Sequence, residues 1–133
     1  MDTHFQILGR LPTVAEFQHL RAGAGWHVPD DDAASAALAG CITGVVAVVD
    51  ESSAVGMARM ISDGRLVALI TDVAVDPDYR GQGVGRALVD HLTSWATARN
   101  FPHIALGAAD HVAGFYLRAG FSRTGDYLRA PGA

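Results

Sequence analysis

A chain of 133 residues, half of them hydrophobic and 18% charged, has material for a real core and is too apolar to stay disordered. Its formal net charge of -4 excludes the basic face that a nucleic acid needs, and its single cysteine, Cys41, excludes an intramolecular disulfide. The start, Met1 to Phe5, has no basic stretch leading into an apolar one, and the longest apolar run, Val45 to Val49, is far too short to span a bilayer. No membrane partner is expected, and the expected location is the cytoplasm.

One domain over residues 1–133 is expected, with no repeat and no linker. Phe5 to Leu8 reads as a first strand. Thr13 and Glu16 form a capping box: the hydroxyl accepts from a free helix amide and the carboxylate accepts from the Thr13 amide in return. Val14, Phe17 and Leu20 then fall on one helical face, and this helix ends near Gly23 or Gly25. Asp30, Asp31 and Asp32 suit the start of a short second helix over Ala33 to Ala39, and Gly40 suits its end. Three strands rich in Val and Ile follow at Cys41–Val49, Ala54–Ile61 and Leu66–Val75, separated by turn residues, as an antiparallel meander.

The period then changes. Val84, Leu88, Leu92 and Trp95 recur at helical spacing, Asn100 suits a left-handed helix end, and Pro102 blocks continuation. His103 to Leu106 reads as a short strand, Asp110 to Arg118 as a helix stopped by Gly120, and Phe121 to Leu128 as a last strand. The order is β-α-α-β-β-β-α-β-α-β, an α/β arrangement of the α+β kind. Its β-α-β crossover makes the sheet mixed, with helices on its flanks.

The most informative stretch is Arg80-Gly81-Gln82-Gly83-Val84-Gly85-Arg86, after a strand and a proline turn and at the start of a helix. A glycine loop there leaves backbone N–H groups unpaired where the helix dipole is positive, which makes a cradle for phosphate. Arg80 and Arg86 oppose that dipole, as if an anion were missing. The alternative is two surface arginines without a role. The spacing is not that of a nucleoside triphosphatase loop, and a dinucleotide-binding loop starting at Gly81 would need glycine where Arg86 stands.

Arg80 to Gly85 resembles the R/Q-x-x-G-x-G/A motif of GNAT acetyltransferases, and Val73-Ala74-Val75 before it is similar to that family's fourth strand. Phe115-Tyr116-Leu117-Arg118-Ala119-Gly120-Phe121 resembles its F-Y-x-x-x-G-F segment, with a helix and a strand between the two motifs as the family's layout requires. The resemblance implies an acetyl-CoA-dependent N-acetyltransferase with a cofactor cleft between the fourth and fifth strands. It implies that Val73, Ala74 and Val75 pair with the pantetheine arm of coenzyme A. It further implies that the amides of Gln82, Gly83, Val84, Gly85 and Arg86 bind the pyrophosphate, and that the Tyr116 phenol protonates the departing thiolate. Phe115 is then left to core packing. Ala109 and Val112 depart from the family, which often has Asn and Ala there.

An attacking lysine-like amine must be neutral, at a cost of roughly 4–5 kcal/mol near pH 7, so a base is useful. Asp72, on the cleft strand, is the candidate; structural hydrogen bonding or acceptor binding are its other roles. Trp26 and His27, in the loop between the first two helices, are candidate acceptor-binding residues, with the acids of 30–32 drawing in a cation or simply capping a helix. None of the six histidines pairs at metal-binding helical spacing, so no metal is expected. A small-molecule amine is expected as the acceptor rather than a protein amine. A homodimer that covers the sheet edges, and a non-catalytic acyl-CoA-binding module as the alternative function, complete the expectations.

Overall fold

The computed structural model describes residues 4–108, 110–125 and 128–132. Its elements in chain order are β1 (Gln6–Leu8), α1 (Val14–Gly23), α2 (Asp31–Ala39), β2 (Thr43–Val49), β3 (Ser53–Ser62), β4 (Val67–Val75), α3 (Val84–Ala98), β5 (His103–Leu106) and α4 (Asp110–Arg118). A single 3-10 turn, Pro77–Tyr79, leads from β4 into the glycine loop.

The strands form one five-stranded sheet in the order β1-β2-β3-β4-β5. The first three pairings are antiparallel, and α3 carries the chain across so that β5 runs parallel to β4. Both faces are covered. Val45, Ala47, Met60 and Ile70 look toward α3, while Val46, Val48 and Met57 look toward α1 and α2. This explains why the strands read as continuous apolar runs rather than as alternating ones. On the α3 side, Leu88 and Leu92 are fully buried, each contributing about 1.5–3 kcal/mol. A Cβ on Gly56 of β3 would stand 2.8 Å from Val84 Cγ1 and 3.1 Å from Leu88 Cδ1, so glycine there sets how closely α3 seats on the sheet.

The capping box forms as expected: Glu16 donates its amide to Thr13 Oγ1 at 3.2 Å, and Thr13 donates its amide to Glu16 Oε1 at 2.8 Å. Three helices end in the same way, with a left-handed residue just past the cap: Gly25 (φ 77°) after α1, Asn100 (φ 62°) after α3 and Gly120 (φ 100°) after α4. The next amide then reaches back over the last turn, Trp26 to Arg21 O at 3.0 Å, Phe101 to Ala96 O at 3.2 Å and Phe121 to Tyr116 O at 3.1 Å.

The expected closing strand is the difference. Among the described residues of 121–128, none belongs to a strand; Phe121 instead folds back to end α4. β5, four residues long, offers little edge to pair with, Gly120 and Gly125 both take positive φ, and Leu128 is exposed. Asp126 and Tyr127 lie outside the described residues. No helix among the described residues is long and apolar enough to cross a membrane.

Candidate functional site

The pairing of β4 with β5 runs from Val67 opposite His103 to Ile70 opposite Leu106 and stops there. β4 continues to Val75, so its second half loses its parallel neighbour and one edge of it opens into a cleft of about 740 Å³. Val73, Ala74 and Val75 form that wall, the glycine loop and start of α3 form one end, and α4 closes the far side with Phe115 and Tyr116.

The glycine loop has the features an anion cradle needs. Gly81 and Gly83 take φ of 76° and 85°, values that an L side chain adopts only with strain. A Cβ at either would meet nothing within 4 Å, so the space over the loop is open. The amides of Gln82, Gly83, Val84, Gly85 and Arg86 donate to no acceptor among the described residues. A Cβ on Gly85 would lie 3.6 Å from Phe115 Cζ and 3.7 Å from Val75 Cγ2, ordinary contact distances, so α4 and β4 pack close to the start of α3 without requiring glycine there. These residues fit the diphosphate of coenzyme A.

The two arginines are better anchored than their place at a helix start implies. Arg80 donates Nε to Val75 O at 3.2 Å, and Arg86 donates Nε to both oxygens of Asp90 at 3.1 Å, one turn along α3. Both line the cleft. Gln82 does not; its side chain turns back to Asp78 O at 3.5 Å.

Tyr116 lies in the last turn of α4 and is half-buried. Its ring meets Phe115 edge-on at 5.0 Å between centroids and Phe121 at 6.2 Å. The second contact and the backbone bond from Phe121 belong to one helix-end motif, so Gly120 is what aims the phenol. Burial pushes the Tyr116 hydroxyl above its ordinary value of 10.0, which keeps it protonated.

Asp72 also lines the cleft, in a setting that the sequence hid. The β3–β4 register passes from Met57 opposite Ala74 to Arg59 opposite Thr71, so Asp72 and Val73 together oppose Ala58. This is a β-bulge, and Asp72 takes a left-handed φ of 54° in it. Its carboxylate accepts from Arg21 Nη1 at 2.9 Å through Oδ1 and from Arg59 Nε at 2.7 Å through Oδ2. Both oxygens therefore have cationic partners, and the geometry is that of a charge-paired anchor rather than of a free base. Burial opposes the charge on Arg59, but hydrogen bonds to Cys41 and Asp72 outweigh it and raise the guanidinium above its ordinary value.

Arg21, which no pattern in the sequence singles out, organises the end of the cleft where Trp26 lies. It donates Nε to His27 O at 2.8 Å and lies 5.5 Å from the Trp26 ring centroid. Trp26 lines the cleft and is 38% exposed. His27 contributes only its carbonyl to this arrangement and does not line the cleft. The three acids lie elsewhere: Asp30 caps α2 through the Ala33 amide at 2.8 Å, and Asp31 accepts from Gln18 at 2.9 Å. His111 lines the cleft one turn before Phe115, whereas His103 does not. Cys41 is half-buried and gives its thiol to Ala37 O at 3.3 Å. Ala109 and the Asp110 side chain lie outside the described residues. Among the described residues no cluster of His, Cys, Asp or Glu is set to hold a metal ion.

The acetyltransferase (GNAT) family matches residues 11–121, and the chain belongs to it. It is 45% identical over 71 residues to GCN5-related N-acetyltransferase 2, chloroplastic, of Arabidopsis thaliana, a match covering 53% of this chain and 28% of that one. It is 32% identical over 74 residues to glucosamine 6-phosphate N-acetyltransferase of Trypanosoma brucei brucei, covering 56% and 50%. The matches span less than a third of the length of the first curated relatives. Among solved structures, a probable acetyltransferase of unknown function from meticillin-resistant Staphylococcus aureus superposes with a TM-score of 0.82 at 26% identity, over 96% of this chain and 100% of that one. AAC(6')-Iy, in complex with the bisubstrate analogue CoA-S-monomethyl-acetylneamine, shares the fold with a TM-score of 0.78 at 20% identity, over 98% and 99%.

Proposed function

We propose that this chain is an acetyl-CoA-dependent N-acetyltransferase that delivers the acetyl group to a primary amine by direct attack, with Tyr116 as general acid. The observation that carries this reading is one continuous cleft with unpaired loop amides at one end and a protonated phenol in its far wall. Bound acetyl-CoA supplies the thioester carbonyl. The amides of Gln82 to Arg86 bind its diphosphate, supported by the charges of Arg80 and Arg86. The freed edge of β4 at Val73 to Val75 offers backbone partners to the pantetheine amides. As the new C–N bond forms and the C–S bond breaks, the Tyr116 hydroxyl gives its proton to the departing sulfur, the proton of the amine leaves to solvent, and the Tyr116 phenolate takes a proton back from solvent. Relatives named for serotonin and for glucosamine 6-phosphate, and the acetylneamine analogue bound by a fold neighbour, support a small-molecule amine as the acceptor.

The test is calorimetry with acetyl-CoA. Gly83→Glu puts a carboxylate into the cradle at a left-handed position, and its Kd should rise at least about tenfold, roughly 1.4 kcal/mol. Equal affinity in a folded variant refutes the cradle. Binding without coenzyme A release for any amine leaves an acyl-CoA-binding module instead.

A further inference from the structure

Arg21, Asp72 and Arg59 form one ion group with two cations and one anion. Their side chains are only 18%, 12% and 16% exposed, so water screens the leftover positive charge poorly. Among the described residues lining the cleft, Asp72 is the only carboxylate, and Arg21 and Arg59 already occupy it. The acceptor end is therefore electropositive at neutral pH, although the chain as a whole is acidic.

Arg21 has donors to spare. A guanidinium carries five N–H bonds. Nε is bound to His27 O and one Nη1 hydrogen to Asp72, whereas Nη2 donates to nothing among the described residues. Arg21 and Thr71 both line the cleft, and the Trp26 ring centroid lies 5.5 Å from the Arg21 guanidinium carbon. An unpaired Nη2 on a guanidinium whose orientation is set by Asp72, His27 O and Trp26 is a ready donor to an oxyanion, because charge-assisted hydrogen bonds from Arg to carboxylate or phosphate are strong.

We propose that the acceptor is an amine that also carries an acidic group, a carboxylate or a phosphate, and that Arg21 is the residue that selects it. Trp26 covers the apolar or ring portion between the two groups. The positive charge does a second thing: it disfavours an ammonium in the same place, so it promotes the neutral amine that must attack, in a site where both Asp72 oxygens already accept from arginines. The acid group of the acceptor offsets the repulsion and keeps binding favourable.

This inference rests on the acetyltransferase reading, and matched acceptor pairs separate the two. Coenzyme A release is followed with 2-phenylethylamine against phenylalanine and with glucosamine against glucosamine 6-phosphate, alongside calorimetry of acetyl-CoA. In at least one pair the acidic member should have kcat/KM about tenfold or more above its partner, the order that one charge-assisted hydrogen bond supplies. The pair that responds tells carboxylate from phosphate. In Arg21→Gln the ratio should shrink toward one, chiefly through KM of the acidic member, and Arg21→Lys should recover part of it. If wild-type protein binds acetyl-CoA and acetylates the plain amines as well as or better than the acidic ones, the inference is overturned and the enzyme stands. Failure to bind acetyl-CoA overturns both. The wild-type comparison decides the matter even if Arg21→Gln does not fold.

Discussion

Tyr116→Phe is the substitution that separates chemistry from packing. It keeps the ring, and with it the edge contacts to Phe115 and Phe121. Burial is the one cause that shifts the phenol, so no hydrogen bond among the described residues is lost with the hydroxyl. Stability at neutral pH should stay within about 0.5 kcal/mol of wild type. Turnover should not. Loss of a general acid costs on the order of 10²–10⁴-fold, and the lower end applies because a thiolate leaves readily; a factor of about 100 corresponds to roughly 2.7 kcal/mol of transition-state stabilisation. The interaction exists only as the C–S bond breaks, so kcat falls and acetyl-CoA affinity holds. The raised phenol adds a pH signature. A group whose folded value lies above its unfolded one contributes stability that is present below the unfolded value and lost as pH rises through the folded value. Wild type and variant should therefore melt together near neutrality, and the variant should become relatively more stable as pH passes 10.0. The assay is steady-state acetyl transfer with melting curves across pH. Unaltered turnover refutes the general-acid role, and a large drop in melting temperature with normal specific activity returns Tyr116 to the core.

Two further substitutions test the scaffold. Asp72→Asn keeps a residue that tolerates left-handed φ but leaves two poorly exposed guanidinium groups facing a neutral amide. It should lower stability by about 2 kcal/mol, read as a clear fall in melting temperature; an unchanged melting temperature with a hundredfold loss of kcat would instead make Asp72 the base. Gly56→Ala should push α3 off the sheet, since its Cβ would lie 2.8 Å from Val84 Cγ1. A cost of about 1–3 kcal/mol and a higher KM for acetyl-CoA are expected, because Val84 opens the helix that presents the loop amides. Wild-type values for both would show that α3 does not depend on this contact.

Much of the fold is legible in the sequence because its signals are local. Thr13 with Glu16, Asp30 before α2, Asn100 and Gly120 each act within one turn, and all four do what their side chain or backbone freedom allows. The expected closing strand, which none of the described residues of 121–128 joins, had no such local support. Residues 121–128 have strand-like composition, but a strand exists only with a neighbour, and β5 offers four residues of edge. The glycine loop is legible as a cradle from residue type and position. The answer to the charge on Arg86 is also near at hand, since Asp90 is one turn away, yet an exposed pair of this kind is weak and leaves the guanidinium available to a phosphate.

The acceptor end is not legible, and the β-bulge explains why. Strict alternation along β4 would put Ala68, Ile70 and Asp72 on one face. Ala68 and Ile70 do pack toward α3, but so do Val73 and Val75, while Ala74 packs toward α1. The parity flips at Asp72 because the strand spends two residues opposite Ala58. Asp72 is thereby delivered to Arg59, 13 residues away, and to Arg21, 51 residues away. The sequence offers Asp72 as a base but not its partners, which come from β3 and α1, at separations over which sequence spacing carries no information. On the acceptor reading proposed above, the same flip also reverses the sign of the site. An acidic chain with three consecutive aspartates before α2 suggests a cationic acceptor. Asp30 instead caps that helix and Asp31 binds Gln18, whereas Asp72, the one carboxylate among the described residues that lines the cleft, is paired with Arg21, which lines it too, and with Arg59, which does not. On that proposal, what the acceptor meets is set by which side chains a single extra residue in β4 turns inward, not by the charge of the chain.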